Sequence, residues 1–271
     1  MSQPDPSMLV ITERDRHGVL TVTLNRPQRA NAYNGDLIDA LRTLIAGVHE
    51  NPGDARVLVI RGRGPHFQGG ADLHWVSTIR AAGSLASLES SRAAAQMISD
   101  LNTLPIPVVG VVQGACYGGG TGILAACDVV IAAEDAKFSI AEVRWGLTPG
   151  FILPQLNDAM SVRQVRRYAL TAEQFDVREA WRLGLVHEIV PRAELDARVE
   201  TVVSDLLANA PGAMAATKRI FLSASHGGKE SEDALEALSR THTAVRLSAE
   251  AAEGLAAFEQ RRAPRWPQDT R

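Results

Sequence analysis

The sequence predicts an α/β body closed by an all-helical end, and three observations carry that expectation. Short β-branched runs bounded by turn residues recur through the first two thirds of the chain. Apolar stripes at helical spacing lie between them. After Pro191 the strands stop, and four successive stretches read as helices. That change divides the chain into an expected core over 1–195 and a helical region over 196–271. With 45% of its 271 residues hydrophobic and 22% charged, the chain can bury a core of that size.

Residues 1–7, polar with two prolines, read as a frayed tail that lacks the basic flank and apolar centre of a secretion signal. Stretches 8–12 and 18–24 are β-rich around the turn Asp15-Arg16-His17-Gly18, and 57–60 is another β-branched run. Between them Asn34 is placed to cap a helix whose Leu37, Ile38, Leu41, Leu44, Ile45 and Val48 share one face; Asn51-Pro52-Gly53 ends it. A second helix is predicted over 90–101, after which Pro105 and Pro107 introduce a buried strand at 108–112. A strand over 128–132, helices over 161–170 and 177–183, and extended chain over 185–190 complete the body. The end reads as helices over 194–207, 211–223, 231–247 and 250–261. Their Ala/Leu-rich faces require cover from the body or from a neighbouring subunit.

Composition excludes several classes. Lys+Arg 28 against Asp+Glu 31 leaves a net charge of −3, so no general cationic field attracts nucleic acid or anionic lipid. The longest apolar stretches, 108–112 and 122–127, are far shorter than the roughly 20 residues of a membrane span. Cys116 and Cys127 have neither CxxC spacing nor a histidine partner, which argues against a disulfide scaffold or zinc site and fits a reducing cytoplasm. The run Gly118-Gly119-Gly120-Thr121-Gly122 lacks GxGxxG spacing, and no Gly-Lys-Ser/Thr, GxSxG or HExxH occurs. Nucleotide, serine-nucleophile and zinc chemistry therefore have no motif, and neither a metal nor a separate cofactor is expected.

Three segments carry the chemistry. Phe67-Gln68-Gly69-Gly70-Ala71-Asp72-Leu73 follows a strand and places two glycines where backbone can approach a ligand closely. Gly114-Ala115-Cys116-Tyr117-Gly118-Gly119-Gly120 follows another strand and opens an apolar helical run, whose first N–H groups are free to bind an oxyanion. Phe138-Ser139-Ile140-Ala141-Glu142 sets a carboxylate in apolar surroundings, where burial raises its affinity for a proton. Two amides on one oxygen beside a proton carrier suit an enolate formed from a thioester.

These segments, with Leu24-Asn25-Arg26-Pro27, Asn31-Ala32, Asp128, Leu147-Thr148-Pro149-Gly150 and the run 179–190, resemble the enoyl-CoA hydratase/isomerase (crotonase) family in order and spacing over about 9–258. The resemblance implies a spiral of ββα units with a helical C-terminal oligomerisation region, assembled as a homotrimer or a dimer of trimers. It implies an acyl-CoA thioester as substrate, coenzyme A being part of it. By position, it puts the oxyanion donors on the N–H groups of Gly69 and Gly119 and the catalytic carboxylate on Glu142. Arg29, Ala30, Gly69, Gly70, Ala71, Asp72, Leu73, Tyr117, Gly119 and Trp145 become the expected substrate-binding residues. The first glutamate of two-carboxylate hydratases does not carry over, because its position is Gly122.

Hydration of a 2-enoyl-CoA is the leading expectation, since 118–124, 169–176 and 184–188 resemble hydratases of branched or carboxylated enoyl-CoAs. Δ3,Δ2-Enoyl-CoA isomerisation is the alternative, since one carboxylate suffices for it. A non-catalytic CoA-ester or RNA-binding protein is the alternative from another class, and the acidic balance counts against RNA.

Overall fold

The computed structural model describes residues 9–225 and 232–266. The expected tail at 1–7, residue 8 of the first predicted strand and residue 231 of a predicted helix lie outside them.

Strands β1 (Val10–Arg14) and β2 (Val19–Leu24) form an antiparallel hairpin, followed by α1 (Gly35–Glu50) and β3 (Val57–Gly62). Helices α2 (Leu73–Ala81) and α3 (Ser84–Asn102) lead to β4 (Val108–Val112), β5 (Ala115–Tyr117) and α4 (Gly119–Ala125). Next come β6 (Val129–Ala133), β7 (Lys137–Ser139), α5 (Leu153–Met160), α6 (Val162–Thr171), β8 (Phe175–Asp176), α7 (Val177–Leu183) and β9 (Glu188–Val190). The chain ends with α8 (Leu195–Leu207), α9 (Pro211–Ser225), α10 (Glu232–Arg246) and α11 (Ala249–Glu259).

Six strands make one sheet in the order β1-β2-β3-β4-β6-β9, parallel throughout except for the opening hairpin. Parallel strands need both faces covered, and the sequence provides for that. Leu58, Ile60, Val108 and Val112 join one core with α1, α3 and α4, while Val57, Val59, Val109 and Val111 join another with Val199, Val202 and Val203 of α8. Helix α8 therefore covers the sheet, although it follows the expected core boundary at 195. The predicted cap of α1 forms: Asn34 accepts a hydrogen bond from the Leu37 amide at 3.1 Å, a contact that contributes about 1 kcal/mol.

A second sheet, β5-β7-β8, rises beyond the end of the first. Its strands are three residues or fewer, too short to show a periodic signal, and none was predicted. Helices α2 and α5 were also not predicted, and α3 starts six residues before the expected helix. Helix α2 buries no residue completely and so lacks the apolar stripe that marks α1. The small sheet positions the site, because β5 delivers the chain from β4 into the glycine turn before α4.

Among the described residues no helix is long and apolar enough to cross a membrane. Both cysteines are unpaired, Cys116 fully buried and Cys127 partly so.

Candidate active site

Two turns meet at the carboxyl end of the sheet. The first leaves β3, and its Gln68 pairs with Cys116 of β5 as a parallel bridge: the Gln68 amide donates to Ala115 O at 3.1 Å, and the Tyr117 amide donates to Gln68 O at 2.9 Å. The second turn runs from β5 into α4. At closest approach, a Cβ built on Gly70 would lie 3.3 Å from Tyr117 O, and one on Gly118 would lie 3.7 Å from Gly70 Cα. A side chain at Gly70 would press on the second turn, and both glycines have a positive φ (+93° and +50°) that favours glycine.

Buried polar side chains brace the first turn. Asn31, fully buried, donates through Nδ2 to the carbonyls of Arg63, His66 and Phe67. Gln68 closes on its own turn, accepting from the Gly70 amide at 2.7 Å and donating to Gly70 O at 3.1 Å. Asp72 caps α2 through the His74 amide and pairs with Arg26 at 3.0 Å. Burial pushes the Asp72 pKa up, but the Arg26 guanidinium and the amides of Trp75 and His74 outweigh it and hold the carboxyl low.

These bonds correct one expectation. The Gly69 amide does not face a ligand; it donates to Ala30 O at 2.7 Å, so its hydrogen is spent within the protein. The Gly70 amide is taken by Gln68 and the Asp72 amide by Tyr33 O at 2.9 Å. Ala71 lies between them, and its N–H has no hydrogen-bond partner among the described residues. The unpaired amide of the first turn is therefore that of Ala71, two residues beyond the predicted Gly69. In the second turn the Gly118 amide donates to Ser139 O at 2.8 Å, and the next amide, Gly119 at the first position of α4, has no partner among the described residues.

Glu142 opens a short 3₁₀ helix, Glu142–Trp145, after β7. Its Oε1 lies 3.0 Å from where a Gly118 Cβ would be, and its Oε2 is buried without a hydrogen-bond partner. Burial raises the Glu142 pKa, with its own backbone N–H pulling weakly the other way. A part-buried carboxylate with one oxygen unpaired holds a proton more readily than a free one, which suits it to carry a proton to and from a substrate. Gly122 offers no second carboxylate, and its surroundings leave no room for one, since a Cβ there would lie 2.2 Å from Ile152 Cγ2.

A cavity of about 980 Å³ opens over these groups. Of the predicted binding residues, Gly69, Gly70, Ala71, Leu73, Tyr117 and Trp145 line it, together with Glu142. Arg29, Ala30, Asp72 and Gly119 do not: Arg29 is exposed beside the site, Ala30 backs Gly69, Asp72 serves the turn, and Gly119 lies under Tyr33. Tyr33, Gln68 and Ile152 were not singled out from sequence. Among the described residues no group of three or more His, Cys, Asp or Glu side chains could hold a metal ion.

A family model described as enoyl-CoA hydratase/isomerase matches residues 14–269. The chain is 32% identical over 252 residues to a probable enoyl-CoA hydratase of Rhodobacter capsulatus, a span of 91% of this chain and 93% of that protein. It is 28% identical over 269 residues to a peroxisomal Δ(3,5)-Δ(2,4)-dienoyl-CoA isomerase of Arabidopsis thaliana, 95% of each. Among solved structures, Pseudomonas aeruginosa AtuE aligns with a TM-score of 0.90 at 38% identity, covering 94% of this chain and 98% of that one.

Proposed function

Because the chain belongs to the enoyl-CoA hydratase/isomerase family and has its crotonase fold, we propose that it is an enoyl-CoA hydratase. The observation that carries this reading is the pair of unpartnered amides, Ala71 and Gly119, on two abutting turns beside the Glu142 carboxylate, whose Oε2 is buried without a partner. The thioester carbonyl accepts from both amides. Glu142 takes a proton from water as its oxygen bonds to C3, and the C2–C3 π electrons move toward the thioester oxygen to give an enolate. The amides hold that charge, and protonated Glu142 returns the proton to C2, leaving a 3-hydroxyacyl-CoA with one water added. Losing one such amide costs about 10²–10³ in rate, and losing the proton carrier about 10²–10⁴.

Double-bond isomerisation is the second reading, and the packing of Ile152 against Gly122 favours it, since moving a proton between carbons needs one carboxylate alone. Incubating the protein separately with a 2-enoyl-CoA and a 3-enoyl-CoA, with product mass as readout, separates the two. A gain of one water supports hydration, and loss of the 3-enoyl isomer at unchanged mass supports isomerisation. In either reaction Glu142→Gln should lower kcat about 10³-fold while retaining CoA-ester binding. Wild-type turnover by that variant would remove Glu142 from the mechanism.

The proposal includes assembly as a trimer or a dimer of trimers. Phe221, Leu247, Leu255 and Phe258 stand exposed on the C-terminal helical region, Phe258 at 83%, and together they are apolar surface that a subunit contact would cover. Light scattering of the purified protein tests this, a monomer being the contrary result.

A further inference from the structure

Tyr33 was not among the expected site residues, yet it touches both amide-bearing turns. Its amide donates to Gly70 O at 3.0 Å and its carbonyl accepts from the Asp72 amide at 2.9 Å, so its backbone flanks the Ala71 donor on both sides. Its ring meets Trp75 edge-on, with centroids 6.0 Å apart at 73°, and packs over Gly119, where a Cβ would lie 2.4 Å from Cε1 and 3.1 Å from the hydroxyl oxygen. The ring is thereby fixed between the two amide-bearing turns.

The residue is 8% exposed and lines the cavity, and its hydroxyl has no hydrogen-bond partner among the described residues. An unclaimed hydroxyl at a cavity wall is free to bind a ligand atom or a water. Glu142 lies within electrostatic reach of it. The two side chains close over consecutive residues of one turn, Glu142 over Gly118 and Tyr33 over Gly119. Burial and the Glu142 charge together raise the Tyr33 pKa, so the phenol keeps its proton across the working range of pH.

A water about to attack C3 has to be held by more than the base that deprotonates it, since one hydrogen bond leaves it free to turn. Ile152 bars a second carboxylate at Gly122. We propose that Tyr33 is the second holder of the reacting water: its hydroxyl oxygen accepts one water hydrogen, Glu142 accepts and then removes the other, and a lone pair is left aimed at C3. This role rests on the hydration reading above.

Tyr33→Phe removes the oxygen and keeps the ring between Trp75 and Gly119; Tyr33→Leu removes the ring as well. With an enoyl-CoA that the wild type hydrates, Tyr33→Phe should lower kcat about tenfold or more with KM changed by less than about threefold. A second measurement follows exchange of a C2 hydrogen of a saturated acyl-CoA for solvent deuterium, which uses Glu142 and the amides but adds no water. That rate should stay within about threefold of wild type in Tyr33→Phe and fall in Tyr33→Leu. Hydration at the wild-type rate by Tyr33→Phe overturns the proposal. Equal loss of hydration and exchange in that variant also overturns it, reducing Tyr33 to a prop for the amides. If the wild-type protein adds water to no enoyl-CoA, the hydration reading itself fails, and that result is visible before any variant is made.

Discussion

The two turns that present the amides are held by opposite means. Side chains reaching inward brace residues 63–71: Asn31 on the carbonyls of Arg63, His66 and Phe67 and Gln68 on Gly70, with Ala30 O fixing Gly69. Residues 118–122 have one side-chain brace, Thr121 Oγ1 donating to Gly118 O at 2.7 Å, and are otherwise held by the side chains they lack, because Glu142, Tyr33, Gln68 and Ile152 press directly onto the four glycines. A braced turn loses order gradually as each brace is removed. A turn that fits only without side chains fails when a single carbon is added.

The largest effect is expected at Gly122. A glutamate side chain at this position would drive its Cβ into Ile152 and bury a charge, so Gly122→Glu should destabilise the protein by about 3 kcal/mol or more, seen as a lowered Tm or loss of soluble protein. Adding Ile152→Ala to that variant should recover part of the loss. Additive damage instead would show that the two side chains do not compete for one space.

Gly118→Ala comes next. Gly118 sits at φ +50°, ψ −123°, a conformation for glycine, and an added methyl would stand 3.0 Å from Glu142 Oε1. Shifting both base and amide should cost about 10²-fold in kcat/KM. In the braced turn, Gln68→Ala leaves the Gly70 amide without its partner but spares the Asn31 and Ala30 bonds. A milder penalty of about 1–3 kcal/mol in stability and roughly tenfold in kcat is expected. If Gln68→Ala proved as damaging as Gly118→Ala, the contrast between the turns would not hold.

The smallest effect is one of sign. Glu142 has a raised folded-state pKa, so its protonated form is favoured in the folded protein and ionisation costs stability as pH rises through that value. Glu142→Gln escapes the cost and should raise Tm near neutral pH, an advantage that fades in acid as the wild-type carboxyl takes up its proton. The acid limb of wild-type kcat/KM should lie above the ordinary carboxylate range for the same reason.

The part-buried carboxylate of Glu142 and the unpaired amide of Gly119 were legible because each leaves a local signature, a carboxylate in an apolar stretch and a glycine run opening a helix. The unpaired amide of the first turn was read two residues early. A pair of glycines marks where backbone can approach a ligand, but which amide stays unpaired depends on Ala30, Gln68 and Tyr33 taking the others. Ala71 has no side-chain requirement for the task and so leaves no mark in composition. Tyr33 and Ile152 gain their roles through packing against residues far along the chain, which periodicity does not report. The main sheet and α1 were legible because their apolar patterns extend over several residues; β5 and β7 are too short for one.

The contact between Gly122 and Ile152 also constrains how this protein could change over generations. An acidic residue at the one position is tolerable only after the other has shrunk, and shrinking it first opens a void. Any descendant lineage that acquired a paired-acid centre would have to pass through that loosened ancestor, so sterics set the order of the two substitutions.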